Sequence, residues 1–213
     1  MEEDNFCLHE YKVECKIGEG TFSEVFKCQS KDSGQRIAAK RLKRSYKSVL
    51  EVAAIPELMI LRKLSPHPNV LQVIDTHYDS VHGTVTLIYD LMDKTIYDLI
   101  KNRKRSLAES KVKNILYQIL RGLDHLHSNG IIHRDIKPEN ILIQKDLVKI
   151  GDLGSVSGAY KKEPRSYYIA TRWYRSPECL LTVGCYGSKM DIWASGCVFF
   201  ELLTSKPLFA GEN

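Results

Sequence analysis

Short runs that alternate apolar and polar residues dominate the first ninety positions and predict β-strands. The five runs are YKVECKIG, SEVFKCQS, QRIAAKRL, VLQVIDTHY and TVTLIYDL. The turn KDSG separates the second run from the third, and DSVHG separates the fourth from the fifth. One segment, ELMILRKL, carries its apolar residues at helical spacing. The pattern therefore predicts a strand-rich part that contains one helix.

After Met92 the apolar period changes to that of helices. Ser106 and Glu109 have the spacing of a capping box, and VKNILYQILRGLDHLH follows them. Apolar side chains share one face of this predicted helix at Val112, Ile115, Leu116, Ile119, Leu120, Leu123 and Leu126. Asn129 and Gly130 form a stop signal, so we expect a long amphipathic helix that ends there.

Ser188 and Asp191 have the spacing of a second capping box, and IWASGCVFFELL follows them. This helix is apolar on nearly all sides, so we expect it to be buried. Strands first and helices second predict an α+β protein with two lobes. The predicted divisions are an N-terminal extension over 1–10, a strand-rich lobe over 11–92 and a mainly helical lobe over 93–213.

Composition places the chain among ordinary globular proteins, because 43% of its 213 residues are hydrophobic and 27% are charged. The net charge of +5 mildly favours anionic partners such as phosphates, but it is too small and dispersed to indicate nucleic acid. The six cysteines include no CxxC pair, which indicates reduced thiols in a cytosolic or nuclear protein. We expect neither a secretory signal nor a membrane span.

The strand-rich part contains two candidate anion-binding features. IGEGTFSEV places Gly18 and Gly20 between two strands, where glycine lets a backbone approach a phosphate closely. A plain β-turn with two glycines would explain the same pattern. Lys40 ends the run RIAAK, and Glu57 follows in the predicted helix. An ion pair between them would position the ammonium for an anion, although a solvated lysine is the alternative.

The segment IIHRDIKPENILI, residues 131–143, concentrates charge between two apolar runs. Asp135, Lys137 and Asn140 share one loop, and Asp152 follows in KIGDLGS. Two aspartates and an asparagine can hold Mg²⁺ and leave one carboxylate to accept a proton. The apolar pairs Ile141–Ile143 and Val148–Ile150 predict a hairpin that holds the loop. A loop of solvated charge is the alternative, and the order of all these motifs weighs against it.

The motifs GxGxxSxV, AAK, a helix Glu, HRDIKPEN, DLG, SPE and DIWASG occur in the order of the protein-kinase signature set. The chain resembles a serine/threonine protein kinase of the CMGC group, which holds the cyclin-dependent and MAP kinases. IGEGTFSEV, LMDKTIYDLI, ATRWYRSPECLL and KMDIWASGCVF are most similar to the branch of the MAPK/MAK/MRK-overlapping kinases. This ros-cross-hybridising branch is associated with cilia. The resemblance covers about residues 11–213 and implies a bilobal protein-kinase fold, with a C-lobe truncated after its central buried helix.

The resemblance implies that ATP and Mg²⁺ are the cofactors. The positions that would cover or line the ATP site are Ile17, Gly18, Glu19, Gly20, Thr21, Phe22, Ser23, Val25, Ala38, Lys40, Tyr89, Asp90, Met92 and Leu142. Within this set Tyr89 would be the gatekeeper, and Asp90 and Met92 would offer hinge backbone groups to adenine. Lys40 would contact the α- and β-phosphates and pair with Glu57.

The resemblance also implies the catalytic roles. Asp135 would orient the substrate hydroxyl and take its proton, and Lys137 would stabilise the transferring phosphoryl group. Asn140 and Asp152 would hold Mg²⁺. Lys137, two residues after Asp135, has the serine/threonine-kinase pattern, and Thr171 agrees with it.

Regulation would involve Ser166-Tyr167-Tyr168, which stands where the family carries T-x-Y. We predict Tyr168 as an autophosphorylation site and Ser166 as a second site, with unmodified polar loop residues as the alternative. Arg175 resembles the CMGC arginine that favours proline after the target residue, which implies substrates with Ser/Thr-Pro sites. Pro56 replaces a helix arginine of the family, and we expect it to start or kink its helix.

These implications predict a monomeric protein serine/threonine kinase that acts on proteins and not on nucleic acid. We expect it in the cytoplasm, and the resemblance adds the cilium or nucleus. The alternative is a truncated kinase-like module that binds ATP or partners without turnover, because the chain stops at SKPLFAGEN, where a kinase continues with further helices. A small-molecule phosphotransferase is disfavoured by the peptide-docking segment TRWYRSPE.

Overall fold

The computed structural model describes residues 8–101, 103, 105–158, 172–182 and 187–211. The chain divides into two compact units, Met1–Ser65 with Leu71–Met92 and Pro66–Val70 with Asp93–Asn213. The first unit is rich in strands and the second is mainly helical, which confirms the predicted α+β class. The short segment Pro66–Val70 belongs to the second unit, although it lies within the first in sequence.

The first unit contains a five-stranded antiparallel sheet. Its strands are β1 (Tyr11–Glu19), β2 (Ser23–Ser30), β3 (Arg36–Leu42), β4 (Val73–Asp79) and β5 (Thr84–Asp90). They lie in the order β1-β2-β3-β5-β4, so all five predicted strands are present. The turn glycines Gly34 and Gly83 both have a φ of 69°, which only glycine adopts without strain.

The strand register assigns different side chains to the two faces of this sheet. One face carries a buried apolar cluster of Leu8, Cys28, Ile37, Ala39 and Ile88. Leu8 lies in the predicted extension over 1–10, so part of that segment belongs to the core. Directly opposed residues share a face, and the register pairs Val25 with Lys40, Lys40 with Leu87 and Ala38 with Tyr89. Lys40 and Tyr89 therefore project together from the other face.

Two short helices replace the single helix predicted for the first unit. They are α1 (Val49–Ala53) and α2 (Pro56–Leu61). Pro56 occupies the first turn of α2, as expected for a residue that lacks a backbone N–H and cannot continue a preceding helix. Ser48 caps α1 by accepting from the Glu51 N–H at 3.3 Å. The buried Val52 and Leu58 anchor the two helices.

The helices of the second unit are α3 (Ile96–Ile100), α4 (Glu109–Ser128), α5 (Pro177–Leu181) and α6 (Lys189–Thr204). The predicted stripe on α4 is largely correct, since Val112, Ile115, Ile119, Leu123 and Leu126 are buried whereas Leu120 is exposed. The helix ends at Ser128 with Asn129 as its C-cap, and Gly130 follows with a φ of 70°, as the stop signal predicted. The capping box at Ser106 is wrong, because the helix begins at Glu109 and Ala108 is its N-cap.

Helix α6 is buried along one face, so the predicted burial is confirmed for that face. Its buried apolar residues are Met190, Ala194, Cys197, Val198 and Leu202. Ile192 and Leu203 are exposed, and the partly exposed Trp193 stacks on Phe209 with 5.8 Å between ring centroids. Among the residues that the structure describes, no helix is both long and apolar enough to cross a membrane.

The described part of the second unit also contains five short strands. They are β6 (Lys94–Thr95), β7 (Ile131–Ile132), β8 (Ile141–Gln144), β9 (Leu147–Ile150) and β10 (Ser157–Gly158). Strands β6, β8 and β9 form one sheet, and β7 pairs with β10. The predicted hairpin is confirmed, because Ile141 pairs with Ile150 and Ile143 with Val148. Short 3₁₀ helices lie at Pro138–Asn140, Leu153–Ser155 and Arg172–Tyr174.

Asn69 fastens the β8–β9 hairpin to helix α4. Its side-chain amide donates to Gln118 Oε1 at 3.0 Å and to the Val148 carbonyl at 2.8 Å. Its own carbonyl accepts from the Ile150 N–H at 2.9 Å. The helix approaches this point through Gly122, where an added Cβ would lie 2.6 Å from the Asn69 carbonyl oxygen. These contacts fix the position of the β8–β9 hairpin, and the charged loop over 133–140 leads directly into its first strand.

Candidate active site

In the first unit the structure brings Lys40 and Glu57 together. Lys40 Nζ donates to Glu57 Oε2 at 2.9 Å, and the side chains are 14% and 4% exposed. The Tyr89 hydroxyl donates to the second carboxylate oxygen, Glu57 Oε1, at 2.6 Å. Strand β3 supplies the lysine, strand β5 the tyrosine and helix α2 the glutamate. A buried carboxylate is thus held on both oxygens, which fixes the direction of the ion pair.

The glycine turn joins β1 and β2. The Gly20 N–H donates to the Ser23 carbonyl at 2.8 Å, and the Lys43 N–H donates to the Phe22 carbonyl at 2.9 Å. An added Cβ would have only ordinary contacts, 3.7 Å from Val25 at Gly18 and 3.8 Å from the Ser23 oxygen at Gly20. Neither glycine has a positive φ. The fold of the described chain therefore does not by itself demand glycine at these two positions.

Ion pairs surround this turn. Glu19 pairs with Lys16 and with Lys43, the latter at 2.8 Å. Hydrogen bonds from Lys16 first and Lys43 second lower the pKa of Glu19 to about 2. Glu24 pairs with Lys16 at 2.7 Å and with Arg41 at 2.6 Å, and these contacts lower its pKa as well. Ion pairs thus connect the ends of β1, β2 and β3 beside the turn.

The other predicted nucleotide positions of the first unit differ in exposure. Ile17 and Phe22 are 49% and 65% exposed, and Thr21 is exposed too. Four further positions are half-buried, namely Val25, Ala38, Asp90 and Met92. An exposed isoleucine and phenylalanine beside a glycine turn supply apolar surface that a flat ligand can cover.

In the second unit the predicted cluster is also assembled. Asp135 Oδ2 accepts from Lys137 Nζ at 2.8 Å and from Asn140 Nδ2 at 2.9 Å. Asn140 Nδ2 additionally donates to the Asp135 carbonyl at 2.8 Å. The aspartate and lysine side chains are 10% and 19% exposed. One carboxylate is therefore oriented by a cation and an amide.

His133 connects this cluster to Asp152 and is fully buried. Its Nε2 lies 2.9 Å from the Gly151 carbonyl, and the Asp135 N–H lies 3.3 Å from its Nδ1. Both contacts are satisfied by an imidazole that carries its proton on Nε2. The Gly151 N–H donates to the Asn140 carbonyl at 2.8 Å. The residue before Asp152 is thus fixed on both sides by the loop that carries Asp135.

Asp191 of α6 holds the backbone of the same loop. Its Oδ2 accepts from the His133 N–H and its Oδ1 from the Arg134 N–H, both at 2.8 Å. His127 Nε2 lies 2.8 Å from Asp191 Oδ2. These contacts use the carboxylate that the sequence assigned to a capping box, so that assignment is wrong. Ser188 itself has helical φ and ψ and makes no side-chain cap bond.

Two loop residues of this site have left-handed backbone conformations that are unfavourable for residues other than glycine. Arg134 has a φ of 74° and Asp152 a φ of 55°. Such strain persists only where neighbouring contacts enforce it, and it concentrates at functional sites. At Arg134, the hydrogen bond from its N–H to Asp191 enforces the strained conformation. At Asp152, the preceding residue Gly151 is held by its bond to the Asn140 carbonyl.

Asn140 and Asp152 are candidate ligands for a divalent cation. The Asn140 amide nitrogen is committed to Asp135, so the amide oxygen is the atom that this side chain offers to a ligand. Asp152 is exposed. Within the described ranges no three His, Cys, Asp or Glu side chains converge on one point. Mg²⁺ needs only one or two protein oxygens when phosphates and water supply the rest, and this donor set fits that chemistry.

Ser166, Tyr168 and Thr171 lie outside the described residues. Leu142 is half-buried in β8. Arg175 is half-buried directly after the 3₁₀ turn, and its N–H donates to the Arg172 carbonyl at 3.0 Å.

Sequence reasoning missed the supporting residues His133, Asp191 and His127, and it missed the bond from Tyr89 to Glu57. Tyr89 lies far along the chain from Glu57, and Asp191 lies far from His133, so these contacts gave no periodic signal. One hint was that Asp191 is an acidic residue in a largely apolar helix, and such residues are buried only with partners.

A comparison with known protein families agrees with this geometry. The family described as Protein kinase domain matches residues 11–213. The chain belongs to this family. A protein kinase domain of this kind uses ATP and a divalent metal, and the CMGC resemblance seen in the sequence is confirmed by the relatives.

Three relatives illustrate the similarity. The chain is 50% identical over 206 residues to the human (Homo sapiens) MAPK/MAK/MRK overlapping kinase, covering 97% of this chain and 49% of that protein. It is 39% identical over 207 residues to the mouse (Mus musculus) serine/threonine-protein kinase ICK, covering 97% and 32%. It is 36% identical over 206 residues to cyclin-dependent kinase F-4 of rice (Oryza sativa subsp. japonica), covering 97% and 44%. This kinase domain thus spans about half the length of these curated relatives or less.

Proposed function

We propose that this protein kinase domain transfers the γ-phosphate of ATP to serine or threonine hydroxyls of protein substrates. The carrying observation is the environment of Asp135, whose carboxylate is held by Lys137 at 2.8 Å and by Asn140 at 2.9 Å. A carboxylate fixed in this way can orient a hydroxyl and accept its proton. The left-handed backbone conformations of Arg134 and Asp152 support a functional role for this cluster, because a solvated loop would adopt unstrained conformations.

The first unit supplies the nucleotide-binding half of this proposal. Glycine at positions 18 and 20 is not demanded by the fold, which supports a role in letting phosphates approach the backbone. Lys40 is directed by Glu57, so its ammonium has a defined place from which to contact the α- and β-phosphates. Ile17, Phe22, Val25 and Ala38 supply apolar surface for adenine.

Asn140 and Asp152 are the residues that would hold Mg²⁺. When bound, this ion neutralises charge on the ATP phosphates and so assists phosphoryl transfer. Asp135 accepts the proton of the attacking hydroxyl, whose oxygen forms the new bond to phosphorus. The bond from the γ-phosphorus to the bridging oxygen breaks, and ADP leaves with those electrons. Lys137 offsets the negative charge that develops on the transferring group.

Substrate choice and regulation are the finer parts of the proposal. Arg175 matches the arginine that favours proline after the target residue in CMGC kinases, so substrates with Ser/Thr-Pro sites are proposed. Ser166 and Tyr168 are proposed as phosphorylation sites on the segment before Thr171. Arg134 supplies a cation in the second unit for such phosphates.

The test is γ-phosphate transfer from MgATP to a generic basic protein, measured with the wild-type chain and with Asp135→Asn. The control is Asp146→Asn in the exposed turn between β8 and β9, which makes the same chemical change away from the cluster. MgATP affinity is measured for all three proteins. We expect Asp135→Asn to lower transfer by at least about a hundredfold, the usual size of a general-base contribution, with little change in ATP affinity.

The outcomes separate the two candidate functions. Transfer by wild type and Asp146→Asn that disappears in Asp135→Asn supports the kinase. ATP binding without transfer in any of the three supports instead a kinase-like binding module. Full transfer by Asp135→Asn contradicts the role given to that carboxylate.

A further inference from the structure

Both oxygens of the Glu57 carboxylate are occupied by donors of different kinds. Lys40 Nζ holds Oε2 at 2.9 Å, and the hydroxyl of Tyr89 holds Oε1 at 2.6 Å. Glu57 is 3% exposed and Tyr89 is 5% exposed, so the tyrosine bond is shielded from water. A hydrogen bond to a charged group is stronger than one between neutral groups, and losing it leaves a buried acceptor unsatisfied.

Helix α2 depends on such contacts for its position. It has only six residues, and its N-cap Ile55 makes no side-chain hydrogen bond. A helix of this length is not stable by itself, so its place is determined by what it packs against. Leu58 supplies an apolar anchor, and Glu57 supplies polar bonds to β3 and β5. Because Lys40 and Tyr89 share one face of the sheet, the two bonds pull the carboxylate toward the same surface.

We propose that Tyr89 is a positioning residue, whose hydroxyl fixes the Glu57 carboxylate so that Lys40 stays directed at the phosphates of ATP. This rests on the proposed function and extends it. A gatekeeper acts through the bulk of its ring, whereas this role belongs to the hydroxyl and acts through Glu57. The two roles are separable by experiment, because phenylalanine keeps the ring and removes the hydroxyl.

The experiment compares MgATP and adenosine as ligands of the wild-type chain and of Tyr89→Phe. Adenosine has no phosphates, so its affinity does not depend on Lys40. We expect the affinity for MgATP and the kcat/KM for ATP to fall about tenfold, the effect of losing one hydrogen bond to a buried charge. The affinity for adenosine stays unchanged. Equal losses for both ligands, or no loss for either, would overturn the proposal.

Tyr78→Phe is the matched control. The Tyr78 hydroxyl lies in the same sheet and donates a 3.0 Å bond to the Tyr46 carbonyl. Tyr78→Phe removes one hydroxyl hydrogen bond from the same unit and leaves the bonds of Glu57 unchanged. We expect the preference for MgATP over adenosine to be retained in this variant. A loss of preference as large as in Tyr89→Phe would show general loosening of the sheet and contradict a positioning role.

A second variant tests whether Tyr89 acts through Glu57. Glu57→Gln weakens both bonds from the carboxylate side, and it should lower the preference for MgATP by itself. In that background Tyr89→Phe should cause little further loss, because coupled residues are not additive. Fully additive losses would show that the hydroxyl acts elsewhere and would overturn the proposal.

Failure of this proposal and failure of the proposed function give different results. A wild-type chain that binds MgATP no better than adenosine contradicts the kinase function, and the positioning role falls with it. A wild-type preference for MgATP that survives Tyr89→Phe intact overturns only the positioning role.

Discussion

Asp191 Oδ2 accepts a 2.8 Å hydrogen bond from the backbone N–H of His133, although 58 positions separate the two residues. The carboxylate is 1% exposed and also accepts from the Arg134 N–H at 2.8 Å. Helix α6 thereby fixes the backbone two residues before Asp135. Burying a carboxylate is costly unless it is well hydrogen-bonded, and the three donors around Asp191 meet that requirement.

Asp191→Asn is expected to lower the free energy of unfolding by about 3 kcal/mol, since hydrogen bonds to a buried charge are worth about 1.5–3 kcal/mol each. Asparagine replaces one accepting oxygen of the carboxylate with an NH₂ group, which cannot accept the hydrogen bond of the donor that faces it. The Arg134 backbone loses its restraint, so phosphate transfer should fall by more than about tenfold as Asp135 loses its fixed position. Urea unfolding and the transfer assay measure the two effects.

Ser195→Ala is the control for Asp191→Asn. The Ser195 hydroxyl donates to the Asp191 backbone carbonyl at 2.8 Å, one turn along the same helix, and the carboxylate is untouched. Its loss should cost no more than about 1 kcal/mol and leave transfer unchanged. Similar stability and similar transfer in the two variants would contradict the anchoring role of the carboxylate.

Lys40→Met should destabilise the first unit as well as abolish transfer. The change leaves the buried Glu57 carboxylate without its cation, and breaking a buried pair from one side costs about 3–5 kcal/mol. Lys43→Met is the control, because Lys43 is 39% exposed and pairs with an exposed Glu19. Exposed pairs contribute little to stability, because water and salt screen them. Thermal unfolding should separate the two variants clearly, and equal melting temperatures would argue against a buried pair at Lys40.

Much of the fold was predictable because its signals are local. The alternation of β1 to β5, the stripe on α4 and the hairpin β8–β9 each follow from spacing within one segment. The capping boxes at Ser106 and Ser188 failed because the same polar residues had other uses or lay before the helix start. The burial of α6 was predicted from its apolar composition, which gives the average polarity of a helix and not which of its faces finds a partner.

The candidate site was predictable only in part, for a related reason. Asp135, Lys137 and Asn140 lie within six positions, so a single loop brings them together. The pair of Lys40 and Glu57 was considered from the residues, with a solvated lysine as the alternative, and the resemblance to kinases then implied it. The bonds from Tyr89 to Glu57 and from Asp191 to His133 depend on tertiary packing, and one sequence carries no signal of such pairings.

Glu201 of α6 gives a prediction about pH. The residue is 7% exposed, its Oε2 accepts from the Tyr174 hydroxyl at 2.8 Å, and burial raises its pKa. A raised pKa in the folded state means that the charged form costs stability. This cost is absent below the unfolded value near 4.5 and grows as the pH rises through the folded value.

Glu201→Gln keeps an acceptor for Tyr174 and removes the charge. We expect the variant to be more stable than wild type at pH 7 and close to wild type at pH 4, by urea unfolding at both values. Tyr174→Phe provides the opposite change, because it removes the donor and should lower stability at pH 7. If Glu201→Gln gains less stability over wild type at pH 7 than at pH 4, the pKa of Glu201 is not raised in the folded state.

Two glycine-to-alanine changes in long helices should have opposite signs. At Gly122 a Cβ would lie 2.6 Å from the Asn69 carbonyl oxygen and 2.9 Å from Ile150 Cδ1, so the base of the β8–β9 hairpin must move. Overpacking of this kind costs about 1–3 kcal/mol. At Gly196 no described atom lies within 4 Å of the added Cβ, and alanine should stabilise α6 by about 0.5–1 kcal/mol. Denaturant unfolding measures both changes, and the same sign for both would mean that helix propensity outweighs the close approach of α4 to Asn69.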